Sequence, residues 1–403
     1  MAPLLIGILL VAPSTATWTA VDVIASTGLE ATSESWSSTP ADYNHDGFQD
    51  VLIGYHDHGA KLFRNDGDGT FTWVAQAAWP EFWPPRNRID RHGCAAGDVD
   101  RDGRTDFYCT VGRTLANQVK TAPDDNELWI QQPDGSFTDV GTEWGVGDPR
   151  GRGRSAIFID ANKDGYKDLY VTNELPRPDD ADGGVGGENK FFLNVGGAGL
   201  VPAPQFGLDL FVGKGTCVQR VDFNRDGWPD IFVCGADATG GLRLFLNVHG
   251  RRFRDATARA CLGQSFADAD LVDLDGDGDL DLVATSATAV VYRLNAGGCF
   301  GSTRTILTLP GGGEKVAEAD VDGDGDLDIY SLTTTFGTSA NPDDVLLVDT
   351  GNLAFTPVTV PSASGVGDDV APLRIAPGNV GFLVLNGREV EGPAQLIQLA
   401  TRR

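Results

Sequence analysis

A nine-residue pattern, D-x-[DN]-x-[DN]-G-x-x-D, occurs six times in this chain and constrains its fold more tightly than any other feature. The copies run Asp42–Asp50, Asp98–Asp106, Asp160–Asp168, Asp222–Asp230, Asp273–Asp281 and Asp320–Asp328. Positions one, three, five and nine carry side-chain oxygens in every copy: Asp42, Asn44, Asp46 and Asp50; Asp98, Asp100, Asp102 and Asp106; Asp160, Asn162, Asp164 and Asp168; Asp222, Asn224, Asp226 and Asp230; Asp273, Asp275, Asp277 and Asp281; Asp320, Asp322, Asp324 and Asp328. Calcium takes about six to eight oxygens at about 2.3–2.6 Å. Alternate residues of a curled loop can turn three short side chains inward. A backbone carbonyl near position seven and the ninth carboxylate would complete the cage. Glycine at position six supplies the positive φ that reverses the chain. Up to six calcium ions are expected on this reading, one per copy.

An EF-hand loop begins the same way but closes with glutamate at position twelve. Position twelve here is Ile53, Cys109, Val171, Val233, Ala284 or Ser331, none acidic. The flanks are strand-like instead, as in Ala156-Ile157-Phe158-Ile159 before a loop and Val51-Leu52-Ile53 after one. Each loop therefore reads as the turn of a β-hairpin. An empty Asp-Gly turn would account for one copy, but not for six that all keep the ninth carboxylate.

The loops recur every 47 to 62 residues, a period typical of propellers. Between them lies a second landmark, a strand, a Gly/Asn turn and a strand led by an aromatic. Leu62-Phe63-Arg64-Asn65 followed by Phe71-Thr72-Trp73 is one case, and Leu244-Phe245-Leu246-Asn247 followed by Phe253-Arg254-Asp255 another. Each unit thus has four antiparallel strands, A to D, with the acidic loop between A and B. After Asp328 a further unit lacks both the loop and a strand D, while Trp18–Val23 matches strand D and has no A, B or C before it. Joining the two gives an all-β, seven-bladed propeller closed by the N-terminal strand, which removes the edges an open row of sheets would present.

Cys94 lies four residues before Asp98 and Cys109 three after Asp106; Cys217 and Cys234 flank their own loop with a similar offset. Each pair can form a cross-strand disulfide, and Cys261 with Cys299 follows by elimination. Disulfides imply export. Leu4 through Ala12, ending near Pro13-Ser14-Thr15-Ala16, is too short to span a bilayer and reads as the core of a signal peptide over residues 1–16, leaving the propeller as 17–403. A secreted, periplasmic or cell-surface protein without a membrane span is expected. The net charge of −26 argues against nucleic acid as a partner, and six calcium ions would roughly halve it.

The repeats resemble FG-GAP (VCBS-type) repeats, the units of the integrin α-subunit propeller. Asp90-Arg91-His92-Gly93-Cys94-Ala95-Ala96-Gly97-Asp98 and Asn126-Glu127-Leu128-Trp129 are similar to bacterial relatives of cartilage acidic protein. The resemblance covers about residues 17–400. It implies cation loops on one face and ligand contact by the B–C and D–A loops on the other. Two departures stand out: the last unit has no cation loop, and no Arg-Gly-Asp triplet occurs.

Long loops on that opposite face contain Trp79, Trp83, Arg86 and Arg88, then Trp144, Arg150, Arg152 and Arg154. Together they could form an aromatic and cationic patch for an anionic or sugar-containing ligand. The plainer alternative is that the tryptophans cap blade cores and the arginines offset nearby aspartates. His56-Asp57-His58 is the one close histidine pair, and no G-x-S-x-G, H-E-x-x-H or phosphate-loop pattern occurs. The expectation is a monomeric, non-catalytic binding or adhesion module for an extracellular protein or glycan. The alternative is a lectin-like or polysaccharide-active protein that uses the same loop-rich face.

Overall fold

The computed structural model describes residues 17–29, 32–33, 35–55, 59–74, 91–112, 125–149, 151–174, 187–209, 215–235, 241–309, 312–334, 342–365, 367–387 and 392–402. These form seven four-stranded antiparallel sheets with no α-helix among the described residues. Blade 1 is Ser35–Ala41, Asp50–Tyr55, Gly59–Asn65 and Phe71–Trp73; blade 2 is Arg91–Gly97, Asp106–Val111, Glu127–Gln131 and Phe137–Asp139. Blade 3 is Gly153–Ile159, Asp168–Asn173, Lys190–Asn194 and Leu200–Pro202; blade 4 is Cys217–Val221, Asp230–Cys234, Arg243–Asn247 and Phe253–Asp255. Blade 5 is Asp268–Val272, Asp281–Thr285, Ala289–Arg293 and Arg304–Thr308; blade 6 is Gly313–Ala319, Asp328–Thr333, Asp344–Asp349 and Phe355–Val360.

Blade 7 is built from both ends of the chain. Asp369–Ala376, Asn379–Leu385 and Gln395–Arg402 are completed by Thr17–Asp22, which pairs antiparallel from Thr17↔Arg402 to Asp22↔Ile397. A two-residue ladder, Thr32↔Pro393 and Ser33↔Gly392, adds a second joint across the same seam. The A–B connection of this blade is a short turn after Ala376, without an acidic loop.

Burial explains the strand patterns. In blades 1 to 6 every residue of strand B is buried, because neighbouring blades cover both faces, so these strands read as continuous apolar runs. Strand D lies at the rim. In blades 1, 2 and 4 its leading Phe71, Phe137 or Phe253 is buried, and the two residues that follow are not. The core is therefore a set of layers between blades, as where Phe232 and Leu244 of blade 4 pack in one cluster with Ala269 and Leu282 of blade 5.

Neighbouring A strands line the centre of the ring and share no ladder, so side chains join them. Thr39 Oγ1 donates to the Cys94 carbonyl at 3.2 Å, and the Gln219 amide exchanges two hydrogen bonds with the Leu271 backbone at 2.9 and 3.1 Å. Asp268 accepts from Val316 N at 3.2 Å. Asp369 accepts from Ser38 N and Oγ at 2.7 Å each, joining blade 7 to blade 1, and pairs with Lys315 at 3.5 Å.

Candidate functional site

In all six loops the ninth carboxylate is almost completely buried, 0–1% exposed, and holds three pieces of chain together. One oxygen accepts the N–H of position two. The other accepts an N–H at the end of strand C. For Asp168 the donors are Ala161 N at 3.0 Å and Asn194 N at 2.9 Å; for Asp281 they are Leu274 N at 3.1 Å and Asn295 N at 2.7 Å. Asp50, Asp106, Asp230 and Asp328 repeat the arrangement. Burial pushes these carboxyls up against the pull of their backbone donors, to about 6 for Asp50 and about 7 for Asp106, Asp168, Asp230 and Asp328. The spacing pattern marks position nine as a ligand; the structure shows that it is also the staple of the blade.

The other ligand positions curl as expected. The first carboxylate accepts the N–H of the position-six glycine at 3.0 Å in five loops, Asp42, Asp98, Asp160, Asp222 and Asp320 being the acceptors. Position five accepts from the N–H of position seven in all six loops, at 2.7–3.0 Å. Carboxylate oxygens of positions one, three and nine lie within 4.8 Å of one another in three loops: Asp98, Asp100 and Asp106; Asp273, Asp275 and Asp281; Asp320, Asp322 and Asp328. In the remaining loops position three is Asn44, Asn162 or Asn224, whose amide donates to the carboxylate of Asp46, Asp164 or Asp226 at 2.7–3.0 Å. These acidic clusters can hold metal ions. Asp273 Oδ1 supports the fit, since it is buried without a hydrogen-bond partner, as a ligand oxygen facing a cation would be.

Three disulfides, Cys94–Cys109, Cys217–Cys234 and Cys261–Cys299, pair the cysteines as the sequence suggests. The first two cross A–B hairpins, with Cys94 opposite Cys109 and Cys217 opposite Cys234 in the ladders.

The antiparallel order sends the D–A and B–C connections to the face remote from the acidic loops. Of the residues expected to bind ligand there, Trp79, Trp83, Arg86, Arg88 and Arg150 lie outside the described residues, as do His56-Asp57-His58 and the signal segment 1–16. Trp144 is half-buried and packs against a core cluster shared by blades 2 and 3. The Arg152 carbonyl accepts from Glu174 N at 2.8 Å, and Arg154 is ion-paired with Glu174.

A neighbouring polar cluster was not legible from spacing. Arg91 and Glu127 form a buried bidentate pair with both contacts at 2.6 Å, and Trp129 Nε1 donates to the same carboxylate at 3.1 Å. The His92 ring stacks on Trp36 at 4.7 Å, with its Nδ1 3.0 Å from the Gly153 carbonyl, and Arg154 contacts the same ring. Arg91, His92 and Glu127 all belong to the two stretches that carry the family resemblance. Their pairing across strands A and C needs the folded blade to be seen.

The FG-GAP-like repeat family matches residues 42–109, 222–284 and 273–331. Human cartilage acidic protein 1 is 24% identical over 246 residues, covering 55% of this chain and 35% of that protein; the mouse protein is equally similar. The chain thus spans about a third of the length of the curated relatives it matches. Among solved structures, a BBS1N chain crystallised in complex with ARL6DN superposes with a TM-score of 0.54 at 11% identity, covering 96% of this chain and 97% of that one. That likeness is one of fold alone. Blades, acidic A–B loops and repeat matches agree on a seven-bladed β-propeller that carries FG-GAP-like repeats over residues 42–109 and 222–331.

Proposed function

We propose that this chain is an exported, calcium-stabilised propeller that binds a macromolecular ligand through the face opposite its acidic loops and catalyses nothing. The observation that carries the calcium reading is the convergence of first, third and ninth carboxylates within 4.8 Å in three loops. Carboxylate, amide and backbone oxygens on a tight loop suit a hard cation. Asp98, Asp100, Asp102 and Asp106, with their counterparts in the other five loops, would hold it. A bound cation cancels local repulsion, so metal binding and folding are coupled. Three disulfides support export.

Calcium titration of the chelated protein in a calorimeter tests the metal reading, with heat of binding and a raised melting temperature expected. An unchanged melt in excess chelator would sink it. For the ligand face, retrieval of partners from the native extracellular fraction is compared between the intact chain and Arg152→Ala/Arg154→Ala. Loss of a protein partner with the double variant supports an adhesion module. Binding on a glycan array that is lost with it favours the lectin-like alternative, and retention of every partner removes this face from consideration.

A further inference from the structure

Position four of each loop lies in left-handed backbone. In blades 5 and 6 it is glycine, Gly276 at φ 72° and Gly323 at φ 82°. In blades 1 to 4 it is His45, Arg101, Lys163 and Arg225, at φ 55–62°. A bulky side chain held there is uncommon and costs backbone energy, and three of the four, Arg101, Lys163 and Arg225, are arginine or lysine. Each reaches the loop of the next blade. Arg101 lies over the Tyr166 ring at 5.0 Å and Lys163 over the Trp228 ring at 4.4 Å, both rings at position seven. Arg225 pairs with Asp279, also at position seven, at 3.0 Å. His45 Nε2 stands 3.4 Å from Thr105 Oγ1 at position eight.

The glycines locate these cations further. A Cβ on Gly165 would stand 2.8 Å from Arg101, and one on Gly278 2.7 Å from Arg225, so both guanidinium groups rest on the position-six corner of the neighbouring loop. The series stops at blade 5. Gly276 carries nothing toward Asp320–Asp328, and a Cβ on Gly325 would meet no atom within 4 Å; the corners at Gly47 and Gly103 are open too, but their loops hold fewer aspartates. Asp273–Asp281 and Asp320–Asp328 each hold five aspartates and no basic residue, but Arg225 partly offsets the former.

We propose that an arginine or lysine at position four is the built-in counter-cation of the next loop, and that the missing cation after blade 5 makes Asp320–Asp328 the loop that calcium fills first and reshapes most. This inference rests on the calcium reading above. A cation on the position-six corner stands where it repels an incoming divalent ion and, in the ion's absence, relieves the carboxylates. Loops that receive one are folded before metal arrives and bind it more weakly. Two loops receive no position-four side chain, Asp42–Asp50, which follows the loopless blade 7, and Asp320–Asp328; with five aspartates against three, the latter has the stronger attraction for calcium and the greater need of it.

Hydrogen–deuterium exchange of the full chain, followed by mass spectrometry against free calcium, reads each loop separately. Protection of peptides covering 320–328 is expected at the lowest calcium, those covering 273–281 next, and those covering 160–168 and 222–230 last. Arg225→Gly should move the midpoint of 273–281 down by about fivefold and leave 320–328 in place. Gly276→Arg should move the midpoint of 320–328 up by a similar factor, independently of whether Arg225→Gly weakens the fold. Coincident midpoints in the unaltered chain, or midpoints that ignore both substitutions, overturn the proposal. No response to calcium in any loop overturns the calcium reading on which it stands.

Discussion

Blades 4 and 6 offer a controlled contrast. Asp230 and Asp328 each accept backbone N–H groups from position two and from the end of strand C, within 2.7–3.0 Å. The scaffold is the same. Around it, the blade 4 loop has three aspartates, an asparagine at position three and Lys163 seated on its Trp228, whereas the blade 6 loop has five aspartates and receives a glycine, Gly276, where blade 3 sends its lysine. Position nine therefore builds the hairpin, and the remaining positions set how much charge the hairpin must tolerate. Two properties that a repeat motif presents as one are separable.

The largest effect that could break this contrast comes from removing divalent ions. Excess chelator should lower the melting temperature by about 10 °C, with limited proteolysis cutting first within residues 320–328 and later within 222–230. Equal susceptibility of the two loops would erase the distinction. Next comes the scaffold itself. Asp230→Ala and Asp328→Ala each strand two backbone N–H groups and should cost about 2–4 kcal/mol by urea denaturation, to the same extent in both blades and also in chelator. A much larger penalty in one blade would mean that the staple is not shared.

The opposite end of blade 6 yields a pH test. Asp344 is fully buried, accepts Thr333 N at 2.7 Å and takes the Tyr330 hydroxyl at 2.8 Å. Blades 2 and 3 place Asn126 and Asn189 in the same relation to Val111 N and Asn173 N, and to Tyr108 and Tyr170. Burial raises the Asp344 carboxyl to about 7. A raised carboxyl stabilises the fold at low pH, and that contribution is lost as pH climbs from about 4 through 7. In saturating calcium, Asp344→Asn should flatten the stability profile between pH 5 and 8 and add on the order of 2 kcal/mol at pH 8. An unaltered profile would show that Asp344 stays ionised in the fold. The smallest effect is expected from Trp228→Leu, which removes the seat of Lys163 and should cost about 0.5–1 kcal/mol. A cost several times larger would make the ring, not the cation, the important partner.

Much of this architecture could be read before folding because each blade repeats its own punctuation. Acidic turns, apolar B strands and Phe-led D strands recur at one spacing, and Trp18–Val23 is recognisable as a D strand without a blade. What escaped were contacts between repeats. Asn65, Asn194 and Asn247 look like turn formers at the ends of C strands. In the fold each side-chain amide donates to a carbonyl of the preceding blade: Ile375 at 3.1 Å, Val99 at 2.8 Å and Ala161 at 2.8 Å. Likewise Arg101 and Tyr166 are 65 residues apart, and no local period links a loop's fourth residue to the seventh of the next. The Thr32–Ser33 ladder is too short to carry any strand signal at all.

The seam has a consequence for biogenesis. A ribosome makes Thr17–Asp22 among the first residues of the circle, yet its partner Gln395–Arg402 comes last. The earliest segment must wait, unzipped, for the whole chain to emerge. The blade that receives it has no acidic turn, so this final clasp needs hydrogen bonds and apolar packing alone. Closure of the wheel is thereby uncoupled from the charge its acidic turns carry.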